Sequence, residues 1–202
     1  MLDFARKRDI AIISDEVYGT LVFDGSKHAT SFLEVAEPDD NLFIINSFSK
    51  AWAMTGWRIG WLVHPVTLDA QMKVICIANN TGPTSFAQFG ALAALSPEGD
   101  AFRAQMLARC RDGRDIVQKF IDGQNRIRWM RPEGAFYGFL HVDGMKNSLK
   151  FAEELLLKAR VGVAPGSAFG PDDARNDSYI RVCFAQDGKL LAEGLNRIAE
   201  AV

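Results

Sequence analysis

The sequence is poor in the residues that make crosslinks and metal cages. Its 202 residues include only three cysteines (Cys76, Cys110, Cys183) and three histidines (His28, His64, His141). The cysteines are odd in number, far apart and never at CxxC spacing, and the histidines are equally scattered. Neither a disulfide framework nor a metal site is indicated, and a reducing compartment fits best. An excess of charge of one sign is lacking too. The formal net charge is −2, so no concentrated basic face is expected, and neither nucleic acid nor an anionic membrane is an expected partner. No apolar run approaches the length that crosses a bilayer, and the opening Met1-Leu2-Asp3-Phe4-Ala5-Arg6-Lys7-Arg8 has no signal-peptide core. Repeats, low-complexity tracts and charge blocks are absent. The expectation is a soluble, cytoplasmic, globular protein that takes a small molecule or a protein as its partner.

What is present reads as α/β. Residues 10–13 form a short apolar run ending at Ser14-Asp15-Glu16, the profile of a strand buried on both faces with polar groups at its carboxyl end. The profile returns at residues 42–45, ending at Asn46-Ser47. The intervening two dozen or so residues allow a crossover, hence parallel strands. A third strand over residues 57–63 follows too soon for a crossover and is expected to run antiparallel, which sets Asp15, Ser47, Lys50 and Arg58 along one sheet edge. Helical patterns follow at 68–78, 86–95 and 101–121. Strands at 127–130, 135–142, 161–164 and 179–185, with helices at 149–160 and from residue 189, complete a second α/β region. The expected division is a sheet-bearing domain over residues 1–100, and a long helix with a small domain over residues 101–202.

By itself, Lys50 is what a solvated loop lysine looks like. Its company changes the reading. Ser47-Phe48-Ser49-Lys50-Ala51-Trp52-Ala53-Met54-Thr55-Gly56-Trp57-Arg58-Ile59-Gly60 resembles the lysine signature of class I and II aminotransferases that use pyridoxal 5'-phosphate, of the aspartate aminotransferase type. Ser14-Asp15-Glu16-Val17-Tyr18 resembles that family's strand-end motif. Tyr179-Ile180-Arg181-Val182-Cys183-Phe184-Ala185 resembles its carboxylate-binding strand. Pro132-Glu133-Gly134-Ala135-Phe136-Tyr137 and Gly162-Val163-Ala164-Pro165-Gly166-Ser167-Ala168-Phe169-Gly170 match family turns and strands of the small domain. The motifs stand in family order across the chain.

The resemblance implies fold type I and a role for each residue. Lys50 is the Schiff-base lysine, since a primary amine can bond the cofactor aldehyde and then carry a proton as general base and acid. Asp15 faces the pyridine nitrogen and keeps it protonated by charge pairing. Its plainer reading is a residue that ends a strand or caps a turn. Tyr18 donates to the ring oxygen, or is a packed aromatic. Arg58 and Ser47 hold the phosphate, with Ser49 assisting. Gly56 is expected to give the loop freedom to turn into the next strand, and Trp52 and Trp57 to pack. Arg181 clamps the substrate carboxylate.

The resemblance further implies amino group transfer between an L-amino acid and a 2-oxo acid, by an enzyme whose intact form is a homodimer. It covers the C-terminal portion of such an enzyme. The phosphate-binding turn, the stacking aromatic and several strands of the mostly parallel large-domain sheet are not found, so the chain alone is expected to bind cofactor weakly and turn over poorly. Other readings stay open: a lyase or decarboxylase on the same fold, a folded remnant without activity, or a ligand-sensing domain, although no helix-turn-helix pattern accompanies it.

Overall fold

The computed structural model describes residues 1–171 and 175–202. They form two compact units, Met1–Leu107 and Ala108–Val202.

The first unit begins with helix α1 (Leu2–Arg6) and strand β1 (Ile12–Asp15). β2 (Leu42–Ser47) lies parallel to β1, with Ile12 opposite Leu42 and Asp15 opposite Ile45. β3 (Gly60–Val63) returns antiparallel on the other side of β2, with Ser47 opposite Gly60. Both directions agree with what the connection lengths require. The bounds differ in one instructive place. Residues 57–59 stay outside β3 because Thr55–Trp57 closes a 3-10 turn and Arg58 follows with φ +52°, a left-handed conformation that breaks a ladder. The β1–β2 crossover carries no α-helix. Its regular piece is the 3-10 turn Phe32–Glu34, closed by a capping box in which Ser31 and Glu34 satisfy each other's backbone N–H.

Three helices follow: α2 (Asp69–Asn80), α3 (Ser85–Ala94) and α4 (Pro97–Asp122). α4 carries the chain from the first unit into the second. α3 buries Ala87, Ala91 and Ala94 and exposes Phe86, Phe89 and Leu92, while α2 buries nothing. One face of the sheet also leaves Ile13, Ile45 and Leu62 exposed. Strands that pair in parallel are normally covered on both faces, so this unit displays apolar surface that its own residues leave open.

The second unit is built on β4 (Ile127–Trp129), β5 (Tyr137–Val142), β6 (Ala164–Pro165) and β7 (Tyr179–Cys183) in the order β4-β5-β7-β6, all antiparallel. Helix α5 (Ser148–Glu154) continues as a π turn over Leu155–Ala159, and α6 (Gly188–Glu200) is capped by the Asp187 carboxylate. Inward residues alternate along the strands. Leu140, Val142, Ile180 and Val182 meet Ile127, Leu155 and Ile198 in one core. Residues 161–163, expected to be strand, make no ladder. Arg160 ends the preceding helix in the left-handed region, at φ +58°, and pairing begins only at Ala164.

No helix among the described residues is long and apolar enough to cross a membrane. No cluster of three metal-ligating side chains occurs among them either.

One ion pair ties α1 to the approach to β2. The buried Asp40 carboxylate accepts Arg6 Nε at 2.6 Å and Nη2 at 2.7 Å, and the Glu37 N–H at 2.7 Å. The Arg6 hydrogen bonds, then the Glu37 N–H, hold the Asp40 pKa at about 2. A carboxyl depressed in the folded state stabilises above its unfolded pKa, near 4 by ordinary values, and that contribution is lost as pH falls through the folded one. We therefore expect the acid limb of a Tm–pH profile to flatten in Asp40→Asn, with Tm at neutral pH also lowered. Calorimetry between about pH 2 and 7 checks both.

Candidate active site

The parallel register of β1 and β2 brings two polar strand ends together. Asp15 is opposite Ile45, and Ser47 lies one pleat further along the same face. Asp15 is exposed, and its Oδ1 accepts the Val17 N–H at 3.2 Å. The turn beyond is braced by Gly19 N–H to Glu16 O and Leu21 N–H to Tyr18 O, each 2.8 Å. Glu16 is the strut beneath it. Its carboxylate accepts the Ser31 hydroxyl at 2.7 Å, the Ser14 hydroxyl at 3.2 Å and the Phe32 N–H at 3.3 Å. Nothing in the sequence pattern singled out Glu16, because two of its three partners lie 15 and 16 residues away.

The loop from Phe48 to Ile59 carries Lys50 and is fixed from below by packing. Phe48, Met54 and Ile59 are buried against Ala87, Ala91 and Ala94 of α3, with Trp52 at the edge. Phe48 also meets Trp52 and Trp61, at centroid distances of 5.0 and 5.2 Å. Trp57 lies over Gly90 of α3 so closely that an added Cβ would sit 2.2 Å from its ring. Trp52 and Trp57 are thus packing residues, as the sequence suggested. Above this floor, half-buried Lys50 extends its Nζ to 5.8 Å from the centre of the Tyr18 ring. That contact joins the two motifs.

Ser47 and Ser49 form a small hydroxyl cluster. Ser47 Oγ accepts the Ser49 N–H at 3.0 Å and lies 2.8 Å from Ser49 Oγ and 3.2 Å from Ile59 O. Ser49 is buried and Ser47 half-buried. Arg58 stands two residues before Gly60, the β3 residue paired with Ser47. It is exposed and spends Nη1 on Thr55 O at 2.8 Å. Among the described residues no ion pair engages Asp15, Lys50 or Arg58. A carboxylate, an amine and a guanidinium at one end of the sheet are left without counter-charges.

Arg181 belongs to the second unit. It projects from the β7 face opposite the core, half-buried, with its Cζ 4.3 Å from the ring centres of both Tyr137 and Phe169.

With this geometry described, comparison with known proteins defines the class. The family profile "Aminotransferase class I and II" matches residues 1–198. An aspartate aminotransferase of Pyrococcus horikoshii is 35% identical over 99% of this chain and 50% of its own length. A valine–pyruvate aminotransferase of Mycobacterium tuberculosis is 37% identical over 94% of this chain and 48% of its own. The crystal structure of an aromatic aminotransferase from P. horikoshii superposes with a TM-score of 0.87 at 33% identity, covering 98% of this chain and 52% of that one. The chain belongs to the class I and II aminotransferase family. It spans about half the length of the curated relatives it matches.

The glycine that matters here is not the one expected. Gly56 has ordinary backbone angles and open space where a Cβ would go. At Gly60 a Cβ would stand 2.5 Å from Asn46 O and 3.2 Å from Ser47 Cα, so only glycine lets β3 close on β2 beside Ser47. Gly60→Ala should cost about 1–3 kcal/mol in urea denaturation, by overpacking backbone against backbone. Gly56→Ala should stay within about 0.5 kcal/mol of wild type.

Proposed function

We propose that the protein is a pyridoxal-phosphate-dependent transaminase that moves an amino group between an L-amino acid and a 2-oxo acid, with Lys50 as its catalytic residue. Lys50 carries this reading. It is an amine without an ion pair among the described residues, half-buried beside a phenol, at the head of a loop packed into place.

The side chains fit such a cofactor by their chemistry. Ser47 offers a hydroxyl, and Arg58 keeps guanidinium donors beyond the Nη1 bonded to Thr55, a pairing suited to a phosphate dianion. Ser49 is buried behind Ser47 and assists by fixing that hydroxyl. Asp15 offers a carboxylate that keeps Oδ2 beyond the Oδ1 bonded to Val17 for a protonated ring nitrogen, and Tyr18 a phenol near the amine for an anionic ring oxygen. When bound, the cofactor supplies an electron sink for the carbanion formed on loss of the substrate α-proton. The chain's own part is to bind, orient and move protons. Lys50 Nζ would take the substrate α-proton as general base and then, as general acid, deliver it away from the α-carbon, and Arg181 would hold the substrate carboxylate.

Two features support a site completed by further polypeptide, in the same chain or in a partner subunit of a homodimer. Ile13, Ile45 and Leu62 leave the sheet face bare, and the relatives are about twice as long. These 202 residues on their own accordingly bind the cofactor weakly. Relatives named for aspartate, valine–pyruvate and aromatic substrates match similarly well, so the sequence favours no single amino acid.

Borohydride reduction of the protein with pyridoxal phosphate, followed by peptide mass mapping, should place the pyridoxyl group on Lys50. Lys50→Ala should lose that label and lower amino transfer by at least about 10²–10⁴-fold. Labelling spread over surface lysines, or carbon dioxide release without a new amino acid, would sink this reading.

A further inference from the structure

Arg181 has an environment that its role does not by itself require. On the outer face of the second unit's sheet, among the described residues, it has no acidic partner and no hydrogen bond to its guanidinium. It has rings instead. β7 lies between β5 and β6, and each neighbouring element sends one ring to the same cation. Tyr137 comes from the start of β5, diagonal to Arg181 across the ladder, and Phe169 from the turn Gly166–Phe169 that follows β6. Both ring centres are 4.3 Å from Cζ.

The rings are themselves held. Phe139, opposite Arg181 on β5, stacks on Tyr179 at 4.8 Å with an interplanar angle of 5°, and meets Phe169 edge-on at 6.0 Å. The turn carrying Phe169 is fastened to the start of α5. The fully buried Ser148 hydroxyl accepts the Ser167 N–H at 3.0 Å and lies 3.1 Å from Ser167 Oγ and 3.0 Å from Asp177 Oδ1.

We propose that Tyr137 and Phe169 are positioning residues for Arg181, two ring faces that fix the guanidinium while leaving its N–H donors for a substrate carboxylate. The inference rests on the carboxylate role given to Arg181 above. A carboxylate neighbour would fix the cation equally well, but would consume its donors and neutralise the charge an incoming acid must find. Ring faces attract the cation through their quadrupole and accept none of its in-plane hydrogen bonds. Ordering the long side chain in advance lowers the entropy lost when a carboxylate binds.

The test titrates the full chain with pyruvate, following the arginine Nε–Hε signals by ¹⁵N NMR, with Arg181 assigned through Arg181→Gln. In the wild type the Arg181 signal should be displaced by ring currents and should shift saturably with pyruvate. Replacing both rings (Tyr137→Leu with Phe169→Leu) should remove the ring-current displacement and weaken pyruvate binding about tenfold. Tyr137→Phe and Phe169→Tyr, which keep the ring faces, should bind like the wild type. The positioning role is overturned if the double leucine variant binds pyruvate normally, or if Tyr137→Phe is as damaging as Tyr137→Leu. If the wild-type Arg181 signal does not respond to pyruvate at all, or Arg181→Gln binds it unchanged, the carboxylate role itself falls and the positioning role with it.

Discussion

The placement of Lys50 and Arg58 in the first unit's candidate site depends on the Lys50 loop being pinned to α3 by apolar contact. The loop is locally unfavourable, since Ala53 and Arg58 both lie at φ +52° and a left-handed conformation costs a non-glycine residue about 1–2 kcal/mol. Burying Phe48, Met54 and Ile59 against the alanines of α3 returns about 1.5–3 kcal/mol per side chain. Burial wins over strain, and the backbone stays in a shape that no local propensity would choose. The smallness of Ala87, Gly90 and Ala91 is part of the device, because a larger residue on that helix face would lift the loop and Lys50 with it.

Charge is handled differently in the framework and at the site. In the framework, Arg6 and Asp40 meet in a two-point ion pair on a buried carboxylate. In the first unit's candidate site, Asp15 and Arg58 are exposed and in no ion pair among the described residues, and in the second unit Arg181 lies against two rings. Unpaired charge is cheap where water reaches it and expensive where it does not. Leaving these groups in partial contact with solvent therefore keeps them available at little cost until a ligand displaces that water.

Much of the architecture was legible in short patterns. The apolar runs ending at Asp15 and Ser47, and the connection lengths after them, were sufficient for the strand directions. What stayed hidden was long-range. Gly60 rather than Gly56 is the obligate glycine because of an Asn46 carbonyl that no local window contains. Glu16 is a strut because Ser31 and Phe32 come back to it. The strand expected from residue 57 starts at Gly60 because Arg58 takes left-handed angles, which arginine's own preferences do not suggest. Tyr137 and Phe169 read as parts of small-domain motifs, and only the order β5-β7-β6 shows that they converge on one cation.

The bare surface of the first unit bears on how strongly the proposed site could hold anything. Interactions of a phosphate or pyridinium with Arg58 and Asp15 are screened while those side chains face water, where unit charges about 4 Å apart gain roughly 1 kcal/mol, against about 4 kcal/mol at the effective dielectric of a partly covered protein surface. Covering the face that carries Ile13, Ile45 and Leu62 would bury apolar area and, because Asp15 and Ser47 lie on that same face, raise the strength of the polar contacts at its edge. On the proposed reading, affinity and folding would be coupled through one surface: polypeptide that completed the sheet would also dry the site. On the same reading, the residues of this chain would supply the chemistry and its orientation, and the cover would determine how much free energy that chemistry delivers.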